Sequence, residues 1–333
     1  MARRRGLLLA VGGLLLIAAA AAYEARRRLT PVARDAPEVL FTVAPGAPLA
    51  RVARDLASAG LVRDARAVEW LARLRGQAGS LHAGEYRLRA SLTPAEILDQ
   101  MGEGRVATYP VIVPEGFTAA QIGARLAAAG LVEPAAFASA VEDPALAASL
   151  GVPAARLEGY LFPETYQLPR GLTAEQVAGI MVRQFQQVWA ELAPAAARDL
   201  SMHEVVTLAS IVERETGVPS ERPRIASVFL NRLARRMRLE SDPTVIYGIP
   251  SFDGNLRRRD LEDEANPYNT YRITGLPPGP IASPGRAALA AVLEPEASGF
   301  LYFVSRNDGS HVFAASYREH VNNVNHFQRR ARR

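Results

Sequence analysis

Two stretches in the first half of the chain read alike, and an internal duplication constrains a fold more than any single motif. "FTVAPGAPLARVARDLASAGLV" begins at Phe41 and "VIVPEGFTAAQIGARLAAAGLV" begins at Val111. Gly46 matches Gly116, Val52 matches Ile122, Leu56 matches Leu126, and Gly60-Leu61-Val62 match Gly130-Leu131-Val132. Further on, "EYRLRASLTPAEILDQM" from Glu85 answers "TYQLPRGLTAEQVAGIM" from Thr165, pairing Tyr86 with Tyr166 and Met101 with Met181. Each copy predicts a short strand, a glycine turn and an amphipathic helix closed by Gly60 or Gly130. A second strand then leads through a leucine-threonine start signal into another helix. A small sheet backed by helices is the packing this pattern allows. The second copy is longer in its middle, where "LEGYLFPETY" lies.

The amino terminus sets a second constraint. "MARRR" precedes an uncharged apolar stretch from Gly6 to Ala22, and "YEARRR" follows it. That length is about the minimum for a helix to cross the hydrocarbon core, which favours an uncleaved anchor. A cleavable signal peptide is the other reading, since the alanine run could host a peptidase. Under either reading the body of the chain is exported. Arg3 to Arg5 favour a cytoplasmic amino terminus, opposed by Arg26 to Arg28 beyond the stretch.

At 333 residues, 49% hydrophobic and 22% charged, the chain has material for two or three folded domains. The formal charge is +5 and every basic residue is arginine, scattered rather than clustered, which argues against nucleic acid as partner. Cysteine is absent. Disulfides, thiolate metal sites, a cysteine nucleophile and a lipoprotein anchor are therefore excluded.

In the second half, "SMHE" is a capping box at Ser201 and Glu204, and it opens a helix that Gly217 stops. On a helical wheel Val205, Leu208, Ala209, Ile211 and Val212 form a broad apolar arc. Glu215 falls inside that arc beside Ile211 and Leu208, Glu213 at its border beside Ala209, and Arg214 opposite. Neither glutamate takes the solvated face. A carboxyl partly stripped of water has a raised pKa, as a general acid near neutral pH requires. The alternative is a border glutamate paired with an arginine such as Arg224 or Arg232. Residues two apart on a helix point to different sides. Glu213 and Glu215 therefore cannot both flank one sugar ring as a two-carboxylate glycosidase demands. A partner acid from elsewhere would be Asp242 in "SDPTVIYG" or Asp260 in "RRRDLED", both also suited to turns and caps.

Other chemistries fail on spacing. His203-Glu204 begins like a zinc-protease motif, but Thr207 stands where the second histidine must be. His82, His311, His320 and His326 lack metal-ligand spacing, and no phosphate loop or serine-hydrolase elbow occurs, so nothing asks for a metal or cofactor. "GLPPGPIASPG" is a stiff loop that either shapes a cleft or serves as a connector. "NPYNTYRITG" offers rings and amides suited to a sugar-lined groove, or a turn followed by an edge strand.

Five segments, "LASIVERETG", "RIASVFLNRL", "MRLESDPTVIYG", "NPYNTYRITGLPPGPIASPG" and "LYFVSRNDGSHVF", occur in this order. Together they resemble the endolytic murein transglycosylase, or YceG-like, family, and "LEGYLFPETYQL" resembles the segment ahead of its catalytic block. The first repeat, with its "V-x-x-G-x-x-L" opening from Val43 to Leu49, resembles a LysM-like glycan-binding module. The resemblance implies an α+β chain with a transmembrane helix, a LysM-like module and a mixed α+β catalytic domain. It divides the sequence into a cytoplasmic tail (1–5), an anchor (6–23), a linker (24–38), the LysM-like module (39–108), a second repeat leading into the catalytic domain (109–190) and the catalytic region (191–333). The implied reaction cuts nascent peptidoglycan between N-acetylmuramic acid and N-acetylglucosamine and leaves 1,6-anhydro ends. Peptidoglycan strands and peptidoglycan synthases are the implied partners. The family's motif puts the catalytic glutamate at Glu213, with Glu215 supporting the site or pairing with an arginine. Asn231, Asp242, Tyr247, Asn269 and Tyr271 are expected in the substrate groove. Near the end, Val321 stands where the family has asparagine after the histidine, which separates His320 from the site. A lysozyme-like hydrolase and a non-catalytic wall-binding scaffold are the alternative readings.

Overall fold

The computed structural model describes residues 2–192 and 200–329. They group into two units, residues 1–109 with 169–171, and residues 110–168 with 172–333. The second repeat thus shares a unit with the carboxyl-terminal region.

The chain begins with one 27-residue helix, α1 (Ala2–Arg28). At 1.5 Å per residue this is about 40 Å of helix. Leu15, Leu16 and Ile17 stand exposed on it. The side chains of residues 2–11 and 14, much of the expected anchor, lie outside the described residues. Among the described residues, no helix is long and apolar enough to cross a membrane.

The rest of the first unit is built of β1 (Glu38–Val43), α2 (Leu49–Ser58), α3 (Ala65–Leu74), β2 (Gly84–Arg89) and α4 (Pro94–Gly102). β1 and β2 pair antiparallel with Phe41 opposite Tyr86. Alternation puts Phe41, Val43, Tyr86 and Leu88 on one face, where they bury against Val52, Leu56, Ile97 and Met101. The segment after α1 is tied to this unit, since the amides of Val32 and Ala33 donate to the Ala90 carbonyl.

The duplication read in the sequence holds in detail. The second copy contains β3 (Thr108–Ile112), α5 (Ala119–Ala128), α6 (Pro134–Val141), α7 (Pro144–Ser149), β4 (Thr165–Pro169) and α8 (Ala174–Leu192), with β3 paired to β4. Gly60 and Gly130 both take a left-handed φ, 68° and 66°. Leu61 N–H then reaches the Leu56 carbonyl and Leu131 N–H the Leu126 carbonyl, the same closing bond in each copy. The Tyr86 hydroxyl donates to the His82 carbonyl and Tyr166 to the Phe162 carbonyl, both at 2.6 Å.

α9 (Met202–Glu215) is the axis of the second unit, packed on α10 (Arg222–Ala234), α11 (Asp242–Tyr247) and α13 (Arg286–Leu293). Its first turn carries the expected capping box, and its residues from Val205 to Val212 are all buried. α12 (Arg258–Glu262), the antiparallel pair β5 (Tyr302–Ser305) and β6 (His311–Ala314), and α14 (Tyr317–Val324) complete it. The proline-rich loop is no solvated connector. It runs buried along α9, where Ile281 N–H donates to Ser210 Oγ and the Pro278 carbonyl meets His203 Nε2.

Candidate active site

The carboxyl end of α9 delivers its two glutamates to different surroundings. Glu213 is closed in: its side chain is 5% exposed and that of Arg222 is 10% exposed. Arg222 Nη2 donates to Glu213 Oε1 at 2.7 Å, and the backbone N–H of Gly285 donates to Oε2 at 3.0 Å. Gly285 is the residue at which α13 begins, so the carboxyl group also sits at a helix amino terminus. A Cβ at Gly285 would overlap the Glu115 carboxyl group, which lies against the same turn. Arg222 reaches Glu115 as well, at 3.4 Å. Both Glu213 oxygens are thus occupied by internal donors, and a proton offered to a substrate would have to displace one. This differs from the expected placement at the border of a cleft, because a buried guanidinium and a loop amide close over the side chain.

Glu215 lines an open recess of about 340 Å³ together with Asp242, Tyr271, Arg232, Glu240 and His320. Burial pushes its carboxyl group up to about 7, and the Asp242 charge adds to the rise; the Ser241 hydroxyl and Arg232 pull against it. The Ser241 hydroxyl donates to Glu215 Oε1. Ser241 is held in turn through its N–H by the Thr270 hydroxyl at 2.9 Å, and Thr244 Oγ1 meets Thr270 Oγ1 at 2.8 Å. This buried hydroxyl chain is why "SDPT" and "NTY" are both needed. The Tyr271 hydroxyl donates to Asp242 Oδ1 at 2.7 Å, which aims the carboxylate at the recess wall. Glu240, at the rim, holds a left-handed φ of 54°, a costly backbone for a residue with a Cβ.

Of the residues expected in the groove, the structure brings Glu215, Asp242 and Tyr271 together. It places the other three elsewhere. Asn231 spends its amide on the carbonyls of Ser298 and Phe300, at 2.8 and 3.0 Å. Asn269 is fully buried, with its amide nitrogen shared among the carbonyls of Asp260, Leu261 and Asp263 and its oxygen accepting from Tyr271 N–H. Both asparagines fold loops, because a side-chain amide substitutes for missing backbone partners where the chain is irregular. Tyr247 faces a different cavity and donates to Glu158 Oε2 at 3.2 Å. Asp260 caps α12 by accepting from Arg257 N–H. The arginines weighed as glutamate partners are engaged elsewhere: Arg224 pairs with Glu296 and Arg232 with Glu240.

Two further titratable residues line these cavities, one set aside in the sequence and one not singled out there. His320 lines the Glu215 recess, stacked on Tyr302 at 5.1 Å, with Nδ1 buried and unpartnered among the described residues. Burial and Arg232 lower its pKa, opposed by Glu240. The ring thus lines the recess although Val321 follows it. Glu158, in the insertion of the second copy, is 5% exposed and accepts from Ala119 N–H through both oxygens. Burial pushes it up to about 7, against those hydrogen bonds. Gly159, which follows it, has φ 85°, and a Cβ there would strike Pro280.

The sequence profile of the YceG-like family matches residues 41–326. A Bacillus subtilis (strain 168) protein named endolytic murein transglycosylase is 30% identical over 313 residues, 88% of this chain and 86% of its own length. A protein of that name from Streptococcus pneumoniae serotype 2 is 30% identical over 84% of this chain, which spans 56% of that relative. The crystal structure of a YceG-like protein from Listeria monocytogenes matches 87% of this chain and 100% of its own at 30% identity, with a TM-score of 0.60. A family profile spanning most of the sequence, a 30% identical relative matched over 86% of its length and a shared mixed α+β fold together establish that this chain belongs to the YceG-like family.

Proposed function

We propose that this protein is a membrane-anchored lytic transglycosylase that cuts peptidoglycan strands internally, with Glu215 as its acid and base. The observation that carries the reading is the Glu215 carboxyl group, held near 7 in an open recess beside Asp242 and Tyr271. A group with that pKa is protonated in a useful fraction at neutral pH and can both give and accept a proton. Glu215 donates its proton to the glycosidic oxygen as the bond from muramic acid C1 breaks. The sugar's own C6 hydroxyl then attacks C1, and the Glu215 carboxylate takes the hydroxyl proton. No water enters, the product ends in 1,6-anhydromuramic acid, and the acid is regenerated. One carboxyl group suffices, which suits a helix whose other glutamate is closed in by Arg222. The names of the relatives, endolytic murein transglycosylase, support the substrate and reaction class.

The apolar stretch from Gly6 to Ala22, with arginines on both sides, supports an α1 anchor that leaves both units outside the cytoplasmic membrane. The β1-α2-α3-β2 order of the first unit supports a LysM-like module lying on the glycan. Nascent strands at the membrane surface, and the synthases that extrude them, are the matching substrate and partners.

Asp242 in the same recess gives a hydrolase a second carboxylate, so the lysozyme-like reading has a specific observation behind it. End-group mass analysis of digested, un-crosslinked strands separates the two. Anhydro ends are expected; ends one water heavier would transfer the reaction to the hydrolase class. In the same assay Glu215→Gln is expected to release nothing, and full activity in that folded variant would remove Glu215 from the mechanism.

A further inference from the structure

The first unit leaves one helix face unpartnered, and that helix starts beside the end of α1. α3 packs inward through Val68 and Ala72, with Ala65 and Leu71 against the same core. Its outer face, on the opposite side of the helix, carries Arg66, Trp70, Arg73 and Leu74, all exposed. Trp70 is 59% exposed and Leu74 66%, so two large apolar side chains one helical turn apart lie bare. Arg73 pairs with Glu69 at 3.1 Å, and the Arg66 side chain has no acidic partner among the described residues.

Side-chain contacts fix where α3 begins. Asp64, its N-cap, accepts from Ala67 N–H through one oxygen. Through the other it pairs with Arg28, the last residue of α1, at 3.2 Å. The neighbouring Arg63 guanidinium donates to the carbonyls of Pro31 and Val32, at 2.8 and 2.9 Å. Arg28 stands six residues beyond Ala22, where the apolar stretch ends, or about 9 Å along the helix. The head-group layer on one side of a bilayer is about 5–8 Å deep. An upright α1 that spans the membrane therefore sets the start of α3 at the outer edge of that layer. α3 is about 15 Å long, and laid along the surface it lets Trp70 and Leu74 reach down into the head groups. A tryptophan and a leucine between arginines have the chemistry of an interfacial helix: the ring sits at the boundary of water and hydrocarbon, and the cations meet lipid phosphates. A sugar chain is served less well, because Leu74 offers its hydroxyls no partner.

We propose that the outer face of α3 rests on an anionic lipid surface beside the anchor, with Trp70 and Leu74 in the head-group boundary and Arg66 and Arg73 on phosphates. The inference rests on the proposed α1 anchor and adds to it a second attachment, which holds the first unit down on the membrane.

Trp70 and Trp189 are the two tryptophans of the chain, so full-length Trp189→Phe reports Trp70 alone. The protein is reconstituted into vesicles of phosphatidylglycerol and phosphatidylcholine whose acyl chains carry bromine. Trp70 emission is expected to shift to the blue and to be quenched. Arg66→Gln and Arg73→Gln are each expected to lower the bound-to-free ratio read from that quenching about fivefold. Because cysteine is absent, Leu74→Cys bearing a polarity-sensitive dye reads the same face with Trp189 in place. Quenching that is equal on pure phosphatidylcholine, or that both arginine variants leave unchanged, overturns the proposal. So does emission that responds to soluble glycan strands and not to bromine. An alkaline carbonate wash, which strips proteins held only at the surface, separates the face from the anchor. Protein that stays on the vesicles but is unquenched removes the face and leaves the anchor. Protein that is quenched and then stripped supports the face and removes the anchor. Protein that never joins the vesicles removes both.

Discussion

Glu213 and Glu215 stand two residues apart on one helix and occupy opposite kinds of place. Around Glu213 the protein has closed: a buried arginine and a helix-starting amide take both carboxyl oxygens. Around Glu215 it has opened a recess, stripped the carboxyl group of enough water to lift it to about 7, and given it one hydroxyl. The two share a helix end and differ in what their oxygens hold: an arginine and a backbone amide at Glu213, one hydroxyl at Glu215. The comparison teaches that the partners of a buried carboxyl group, and not its burial alone, bear on what it can do.

The sharpest way to break this comparison is to neutralise each glutamate in turn. Glu215→Gln is expected to lower cleavage by about 10²- to 10⁴-fold, the range for a lost general acid, while thermal unfolding stays near wild type. Glu213→Gln is expected to do the reverse. Arg222 then loses its closest counter-charge and keeps only Glu115, at a cost of up to about 3–5 kcal/mol, read as a fall in denaturation midpoint, with activity retained per folded molecule. The opposite pattern, a stable but inactive Glu213→Gln, would exchange the two roles.

Glu158 extends the comparison to a third buried glutamate. Its folded pKa, about 7, lies above its ordinary 4.5, so the native state binds the extra proton between those values. Stability is therefore full below about pH 4.5 and falls as pH rises toward 7, by about 3 kcal/mol in all. Glu158→Gln is expected to flatten that slope in denaturant unfolding measured from pH 4.5 to 8. An unchanged slope would assign it to another group. Activity should follow Glu215 in the same direction: as an acid it must start protonated, so kcat/KM is expected to fall about tenfold per pH unit above about 7. A rate flat to pH 9 would contradict that. The smallest effect is expected from Tyr271→Phe, which frees Asp242 from one hydrogen bond. A loss of about 0.5–1.5 kcal/mol corresponds to a two- to tenfold lower rate, and a larger loss would make the Tyr271 hydroxyl a direct contact of the substrate.

Much of the architecture was legible because its signals act over a few residues. The pairing of Gly60 with Gly130 foretold two identical helix stops, and the Tyr86 and Tyr166 match foretold the same hydroxyl-to-carbonyl bond in each copy. Ser201 and Glu204 marked the start of α9 to the residue. The site was legible only in part. Helical spacing correctly sent the two glutamates to different sides, and Asp242 and Tyr271 reached the recess. Asn231 and Asn269 read as groove residues because amides suit sugars, yet the same amides suit irregular loops, and here the loops took them. His320 was set aside on the residue that follows it, whereas its surroundings, Tyr302 and Arg232, come from other elements.

The sequence by itself determined where helices begin and end, that a module is repeated, and that two carboxyl groups lie on the buried side of one helix. Capping bonds, glycine conformations and apolar periodicity are local, so a short window contains all their terms. Only the tertiary structure decided what each carboxyl group meets. The donors that close Glu213 come from 9 and 72 residues away, and the hydroxyl beside Glu215 from 26. A carboxyl group's proton affinity is set by whatever surrounds it in space, and that company is assembled only when the chain folds.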